Sequence, residues 1–461
     1  MKVTVQGLGL NGGGLSSAAF FARRGALVTV TDLRSAEVLQ PSIDSLAAWP
    51  VRYVLGRHEE ADFTGADVVI KNPAVPPSSP YLRAAREKGV PVETDLSVFL
   101  QLAPGPLLAV TGSKGKSTTA AAMHHCLRER FPGARLGGNI TISPLTFLEE
   151  LRPEDPVVLE LSSWQLADLR GRGLLAPRVC VVTRILPDHQ DKYPDMESYV
   201  ADKKVIFQSQ RPEQFTVLNA DDPWQSEFPL ETAATVRWFS ASPLPPERPG
   251  AFLHGGVGVL RAGGLEETIL PSRLAVPGEH NRLNLLAAGL ACRLAGLEPA
   301  LIAPALAAFP GIEHRLELVL EQDGVRVYND SAATIPQAAA AALASLPAPV
   351  FLIAGGTDKN LDFRPLAEAA ERAAGIFLLQ GSGTSKLAGL LEAAGVPFAG
   401  PFPSLPVTLA NAWEQARAQS RRSAGGCSLV FSPGCASFEL FLNEFDRGRR
   451  FKELVRSLAG S

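Results

Sequence analysis

Short apolar runs alternate with helix-length stretches along the whole chain. This is the pattern of parallel sheets whose strands are joined by crossover helices. Three runs lead straight into a glycine-rich turn. Residues 3–5 run into Gly7-Leu8-Gly9, residues 107–110 into Thr111-Gly112-Ser113-Lys114-Gly115-Lys116-Ser117, and residues 350–354 into Gly355-Gly356-Thr357-Asp358-Lys359. Further strands are predicted at 26–30, from 157 to the carboxylate of Glu160, and at 179–182. Helices are predicted from about Lys116 and over 196–208.

Proline and glycine mark the joints. Ala103-Pro104-Gly105-Pro106 reads as a linker, and Phe309-Pro310-Gly311 as a hinge after an Ala/Leu-rich helix. The expected organisation is α/β in three domains: a Rossmann-like domain over 1–103, a central P-loop ATPase-like domain with a parallel sheet over 104–310, and a C-terminal Rossmann-like domain over 311–461. The Pro- and Gly-rich stretch 243–271 reads as a β-rich excursion within the second. A chain of 461 residues suits three domains at roughly 150 residues each.

Charge narrows the function classes. The 44 basic residues against 47 acidic ones give a net charge of -3, which is no electrostatic footprint for a nucleic acid or an anionic membrane. Any phosphate binding must be local. No apolar run reaches the roughly 18 residues of a membrane helix, and the chain opens on a strand pattern, so no leader is expected. Five cysteines lie far apart with no C-x-x-C pair. They argue against a disulfide framework or a structural zinc site and fit a reducing cytoplasm.

The strongest chemical signal is the segment 109–119. A buried strand ends, glycines turn the chain, and a helix begins. Backbone N–H groups at such a helix start cradle phosphates. Lys116 is placed to neutralise the β/γ-phosphates and Ser117 to set a hydroxyl on Mg²⁺. The G-x-x-G-K-S spacing is shorter than the usual G-x-x-x-x-G-K-[ST]. Glu160 closes a strand where a metal-organising acid sits in such folds, and His189 lies among carboxylates after the strand at 179–182. Taken by themselves, His189 is an ordinary surface residue, Glu160 a strand-end cap, and Lys203-Lys204 a solvated helix face.

The first turn, Gly7-Leu8-Gly9-Leu10-Asn11-Gly12-Gly13-Gly14, followed by Asp32 at the end of the next strand, invites a dinucleotide reading. The glycine spacing is irregular, and a mononucleotide or nucleotide sugar could use the same helix start. In the last third, three polar turns follow strands: Asn329-Asp330-Ser331-Ala332-Ala333-Thr334, Gly355-Gly356-Thr357-Asp358-Lys359, and Ser432-Pro433-Gly434-Cys435-Ala436-Ser437-Phe438. Together they suit an acidic substrate, with Lys359 as the cation.

In this order the segments resemble the Mur ligases, the ATP-dependent amide-forming enzymes of peptidoglycan precursor synthesis. The resemblance rests on T-G-S-K-G-K-S-T at 111–118, G-G-N at 137–139, L-E-L-S-S-W-Q-L at 159–166, D-H-Q-D-K-Y at 188–193 and Y-V-A-D-K at 199–203. Further matches are G-E-H-N-R-L-N at 278–284, H-R at 314–315, G-G-T-D-K-N-L-D-F at 355–363 and S-P-G-C-A-S-F at 432–438. The last two favour the glutamate-adding branch.

The resemblance implies ATP-dependent joining of glutamate, D-glutamate in that branch, to UDP-N-acetylmuramoyl-L-alanine through an acyl phosphate. It implies two Mg²⁺ sites and a monomeric enzyme. Gly112, Ser113, Lys114, Gly115, Lys116, Ser117 and Thr118 would hold ATP, with Asn281 and Asn284 by the adenine and Arg315 and Asp330 by the nucleotide. Ser117 and Glu160 would hold the first metal, and His189 and a carbamylated Lys203 the second. Lys116, Glu160, His189 and Lys203 form the catalytic set. Gly9, Leu10, Asn11, Asp32, Arg34 and Asn72 would bind the UDP substrate, with Asn139 nearer the acyl centre. Thr334, Lys359, Ser432 and Phe438 would contact the amino acid.

The chain departs from the family pattern at Ala332, where the usual D-S-K-A-T-N has a lysine. One cation is missing there, which leaves L-glutamate or another amino acid open. Lys114 replaces a common Asn. A folylpolyglutamate-synthase-like ligase would share the central domain. A dinucleotide-dependent oxidoreductase would leave the phosphate loop unexplained. A non-catalytic nucleotide binder is the remaining alternative.

Overall fold

The structure, a computed structural model, describes residues 1–9, 12–140, 142–188, 193–262, 264–422 and 425–459. The chain forms two compact units, Met1–Ser272 with Leu283–Leu306, and Arg273–Arg282 with Ala307–Ser461. It is mixed α/β with three sheets, as the alternating pattern predicts.

The first unit holds two sheets. In the N-terminal one, β1 (Lys2–Gln6), β2 (Leu27–Asp32), β3 (Val51–Leu55), β4 (Val68–Lys71) and β5 (Val92–Glu93) lie parallel in the order β3-β2-β1-β4-β5. Strand order reverses between β1 and β4, which opens a crevice beyond their carboxyl ends. Val3, Val5, Val28 and Val30 share a core with Ala18 and Phe21 of the helix Gly13–Arg23. That helix starts hard against the first turn. A Cβ on Gly14 would lie 2.0 Å from the Gly7 carbonyl oxygen, so the close approach requires glycine.

The central sheet comprises β6 (Leu107–Thr111), β7 (Arg135–Gly138), β8 (Val157–Glu160), β9 (Val179–Val182), β10 (Phe215–Asn219), β11 (Thr235–Ser240), β12 (Gly250–His254), β13 (Val257–Ala262) and β14 (Leu265–Leu270). Their order is β14-β13-β12-β11-β10-β9-β6-β8-β7. Pairing is parallel from β7 to β12, and β12-β13-β14 is an antiparallel meander. The Pro- and Gly-rich stretch therefore extends this sheet. Every residue of β8 and β9 is buried, because helices cover both faces of a parallel sheet; their apolar runs are continuous for that reason.

The second unit carries β15 (Glu317–Gln322), β16 (Val325–Asn329), β17 (Val350–Ala354), β18 (Gly375–Leu379), β19 (Ala399–Phe402) and β20 (Cys427–Phe431), ordered β15-β16-β20-β17-β18-β19. Only β15 is antiparallel to its neighbour. Alternate residues feed two cores: Leu352 and Val430 on one face, Phe351, Ile353, Leu429 and Phe431 on the other. Because β20 lies between β16 and β17, the turns after these three strands emerge side by side.

All five cysteines are buried free thiols. Among the described residues no helix is long and apolar enough to cross a membrane.

Candidate functional site

The phosphate loop follows β6 and opens the helix Lys116–Leu127. Its shape is held from below by β9's extension. Ser113 N–H donates to the Arg184 carbonyl at 2.8 Å, and the Thr183 hydroxyl donates to the Lys114 carbonyl at 2.8 Å. The Ser113 side chain is itself a fastener: its hydroxyl reaches Leu186 O at 2.9 Å and Tyr199 OH at 3.0 Å. Gly115 has φ +92°, and a Cβ there would come within 2.3 Å of Asn284 Oδ1. The helix start is thus closed over by Asn284, far away in sequence. Ser117 and Thr118 are half-buried on the first turn, and Lys114 is exposed, 3.7 Å from Asp188.

Two lysines converge on one carbonyl. Lys116 Nζ donates to Gly112 O at 3.0 Å and Ser113 O at 3.1 Å, and Lys203 Nζ donates to the same Gly112 O at 2.8 Å. Lys203 sits on the helix Met196–Gln208, is 2% exposed, and lies 4.3 Å from the centre of the Tyr199 ring. Burial, then the neighbouring Lys116 charge, pushes its pKa down to about 7, against the pull of Asp188 and Asp202. A lysine in that range supplies a neutral, nucleophilic amine near neutral pH. Its sequence neighbour Lys204 differs: it turns outward to pair with Glu231 at 2.5 Å.

Glu160 ends β8 in register with Val110 of β6, so its carboxylate stands beside the root of the loop. The residue is 2% exposed. Asn139 Nδ2 donates to Oε1 at 3.2 Å, whereas Oε2 is buried with no hydrogen-bond partner among the described residues. A buried carboxylate oxygen without a donor fits a divalent cation, as does a hydroxyl such as that of Ser117 on the first turn of the helix. Lys203 as a cation does not fit one; as a carbamate it would. His189, and Leu10 and Asn11 of the first turn, lie outside the described residues.

At the N-terminal sheet, the crevice beyond β1 and β4 is a cavity of about 350 Å³ whose lining includes Asp32, Arg34 and Asn72. Asp32 is 5% exposed. Burial pushes its carboxyl up, but hydrogen bonds from Arg34 N–H at 3.0 Å, the Arg34 guanidinium and Gly9 N–H at 3.3 Å outweigh it, and the net pKa is below the ordinary value. The acid is therefore a fixed anion that orders the Gly9 turn and Arg34. Asn72 Nδ2 donates to Gly7 O at 3.3 Å, which ties the β4 loop to the same turn. His58, Gln6 and Tyr81 also line it and were not among the residues predicted.

In the second unit the three polar turns are stitched together. The Ser432 hydroxyl donates to Asp330 Oδ2 at 2.6 Å, and Leu316 N–H donates to Oδ1 at 3.1 Å. Burial nonetheless pushes the Asp330 carboxyl up to about 6. Thr357 and Ala436 exchange backbone hydrogen bonds at 3.0 Å, joining the turns after β17 and β20. Lys359 is exposed and lies 5.9 Å from the ring of Phe438, itself 64% exposed. Thr334 N–H donates to Ala332 O at 3.0 Å, and Arg315 is exposed. Asn281 Nδ2 donates to Pro277 O at 2.7 Å.

Two residues here were missed. Arg447, on the helix Glu444–Ala459, is fully buried. It donates to Ser331 Oγ at 3.0 Å, Ser331 O at 2.7 Å, Cys435 O at 3.0 Å and Ala436 O at 3.1 Å, clamping the first turn to the third. In the sequence it sits in Asp446-Arg447-Gly448-Arg449-Arg450, which reads as a solvated face. Ser437 is 3% exposed and its hydroxyl has no partner among the described residues. A buried orphan hydroxyl carries no signature in sequence.

The family model described as the Mur ligase middle domain matches residues 110–292, and that of the MurD-like N-terminal domain matches residues 1–94. The UDP-N-acetylmuramoylalanine–D-glutamate ligase of Treponema pallidum (strain Nichols) is 43% identical, over 98% of this chain and 97% of that protein. The ligase of the same name from Roseiflexus sp. (strain RS-1) is 42% identical, over 99% and 98%. Among solved structures, the UDP-N-acetylmuramate-alanine ligase of Thermotoga maritima aligns with a TM-score of 0.59 at 20% identity, covering 99% of both chains. A MurF ligase from Thermotoga maritima in complex with ADP aligns at 0.54 and 17% identity, covering 94% of this chain and 95% of that one. These two likenesses concern the fold. The full-length identities, on a chain whose phosphate loop, strand-end glutamate and buried lysine adjoin one another, show that it belongs to the Mur ligase family.

Proposed function

We infer that this chain joins D-glutamate to UDP-N-acetylmuramoyl-L-alanine, with conversion of ATP to ADP and phosphate, in peptidoglycan precursor synthesis. What carries the reading is identity of 36–43% along essentially the whole chain with several ligases of that name. The chemistry follows from charge. The L-alanine carboxylate attacks the γ-phosphate of ATP, and both are anions. Lys116, at the loop, offsets their repulsion and the charge that builds on the transferring phosphoryl group. The acyl phosphate formed is then attacked by the glutamate amine, and phosphate leaves as the tetrahedral oxyanion collapses.

In this reading Mg²⁺ would be held at two sites, by Ser117 and Glu160 and by His189 and the carbamate of Lys203, where it supplies charge neutralisation. The nucleotide would lie on residues 112–118, with Asn281, Asn284, Arg315 and Asp330 around it. Asp32 and Arg34 with the Gly9-Leu10-Asn11 turn, Asn72 and Asn139 would take the UDP substrate. The turns bearing Thr334, Lys359, Ser432 and Phe438, with the orphan hydroxyl of Ser437, would take the amino acid. Lys359 would stand in for the cation that Ala332 lacks. The domains would run over 1–103, 104–310 and 311–461, in a monomer working in the cytoplasm.

The test is ADP release with ATP, Mg²⁺ and UDP-N-acetylmuramoyl-L-alanine, run against D-glutamate, L-glutamate and a panel of other amino acids. Turnover with D-glutamate is expected. Turnover confined to another amino acid would move the specificity to Ala332, and none with any would overturn the reading.

A further inference from the structure

The turns after β17 and β20 share a third support, the start of the helix Ser382–Ala393 that follows β18. The N-cap of this helix is Gly381, and there is no room for a side chain there. A Cβ would lie 2.4 Å from the carbonyl carbon and oxygen of Gly356, in the turn after β17. The close packing of that turn therefore leaves the helix without a capping side chain of its own. Gly356 is held on both sides: its N–H donates to Thr384 Oγ1 at 3.0 Å, and its carbonyl accepts from Gly383 N–H at 2.9 Å.

The cap comes instead from the turn after β20. Glu439, next in sequence to Phe438, accepts the Ser382 N–H on Oε2 at 3.0 Å and the Ser382 hydroxyl proton on Oε1. A carboxylate on the first N–H of a helix is favoured by the helix dipole, and its two oxygens take both donors at once. The Ser382 oxygen in turn accepts the N–H of Asp358 at 3.0 Å, one residue before Lys359. A hydroxyl has one proton, and here it goes to Glu439. The relay from Asp358 N–H through Ser382 Oγ–H to the carboxylate therefore has a single direction. The backbone N–H of Glu439 donates to Thr357 Oγ1 at 3.0 Å, which closes a ring of contacts between the two turns.

Lys359 and Phe438 flank this ring, one beside Asp358 and the other beside Glu439, and both side chains are exposed. Glu439 and Ser382 are exposed as well. Polar contacts at an exposed site add little to global stability, so what this ring governs is local placement. We propose that Glu439 is a positioning residue for the incoming glutamate: clasped by Ser382, it fixes Ser437 and Phe438 against Lys359 without touching the amino acid itself. This rests on the reading of these turns as the amino-acid site.

The experiment is steady-state ADP release by the full chain, with ATP, UDP-N-acetylmuramoyl-L-alanine and D-glutamate each varied in turn in the presence of Mg²⁺, and urea unfolding alongside. Glu439→Ala is expected to raise the KM for D-glutamate about tenfold while kcat falls less than about threefold, the pattern of a lost binding contribution. The KM values for ATP and the UDP substrate should stay within about twofold, and the urea midpoint should not move. Glu439→Gln keeps the shape and one acceptor but loses the charge, and should raise the same KM only about threefold. Ser382→Ala should raise it too, and the double variant should be no worse than Glu439→Ala, because both changes break one relay. An unchanged KM for D-glutamate in Glu439→Ala would overturn the proposal. So would an equal rise in all three KM values or a lowered urea midpoint, either of which assigns the carboxylate a merely structural role. Absence of D-glutamate turnover in the unaltered protein would overturn the reading of the turns, and the proposal with it.

Discussion

Lys203 and Arg447 are both buried cations held by backbone carbonyls, and they do opposite things. Among the described residues Lys203 donates to one carbonyl, that of Gly112, and Lys116 competes for it. Burial and that second charge bring it down to about 7, within reach of losing its proton. Arg447 donates to three carbonyls and a hydroxyl, and burial lowers it only to about 10. It stays a cation at neutral pH, because the guanidinium delocalises its charge and starts so much higher. A sparsely bonded buried lysine is a chemical reagent in waiting; a buried arginine tied to four acceptors is a clamp. The phosphate-loop region is built around the first, and the turns beyond β16, β17 and β20 around the second.

The sharpest way to break this comparison is Lys203→Ala. ADP release is expected to fall on the order of 100-fold, with bicarbonate failing to restore it, because no amine remains to carbamylate. Full activity in that variant would end the carbamate proposal. Arg447→Met should instead act on stability. It leaves three carbonyls and the Ser331 hydroxyl short of a donor, and a buried polar group so stranded costs ~1–3 kcal/mol. Urea unfolding should show a loss of about 3 kcal/mol after partial relaxation; a midpoint equal to that of the unaltered protein would mean the clamp bears no load.

The smallest effect concerns Asp330, the acid nearest that clamp's turn. Burial raises its carboxyl to about 6 from 3.8. Between those values the folded state binds the proton and the unfolded state has lost it. The group's contribution to stability therefore falls as pH rises from about 4 to about 6, by ~1–3 kcal/mol. Asp330→Asn should flatten the stability profile over that window. A profile that keeps its slope would assign it to other groups.

Much of the phosphate loop was legible because its logic is local. A buried strand, two glycines and a lysine in eight residues specify a strand–loop–helix, and the helix does begin at Lys116. The helix Met196–Gln208 and the strand ending at Glu160 follow equally from short-range periodicity. Asp32 closes β2, where the pattern of the first turn placed it. Lys203 needed the family resemblance, since its own surroundings read as a solvated face until Gly112 and Tyr199 close around it. The roles of Asn284 against Gly115, Gln6 against His58, and Arg447 behind Ser331 depend on partners 52 to 169 positions away, and no short window of sequence contains both.

By itself, then, the sequence determined which segments become strands and helices, where the phosphate loop lies, and the family to which the chain belongs. Hydrogen-bonded periodicity and turn chemistry act over a few residues and are written in composition and spacing. Only the tertiary structure decided protonation and orientation: which lysine is neutral enough to react, which carboxylate oxygen is left without a donor, and which arginine is spent on holding two turns together. Those properties are set by desolvation and by the count of donors and acceptors in a closed space, and that space exists only once distant strands have brought its walls together.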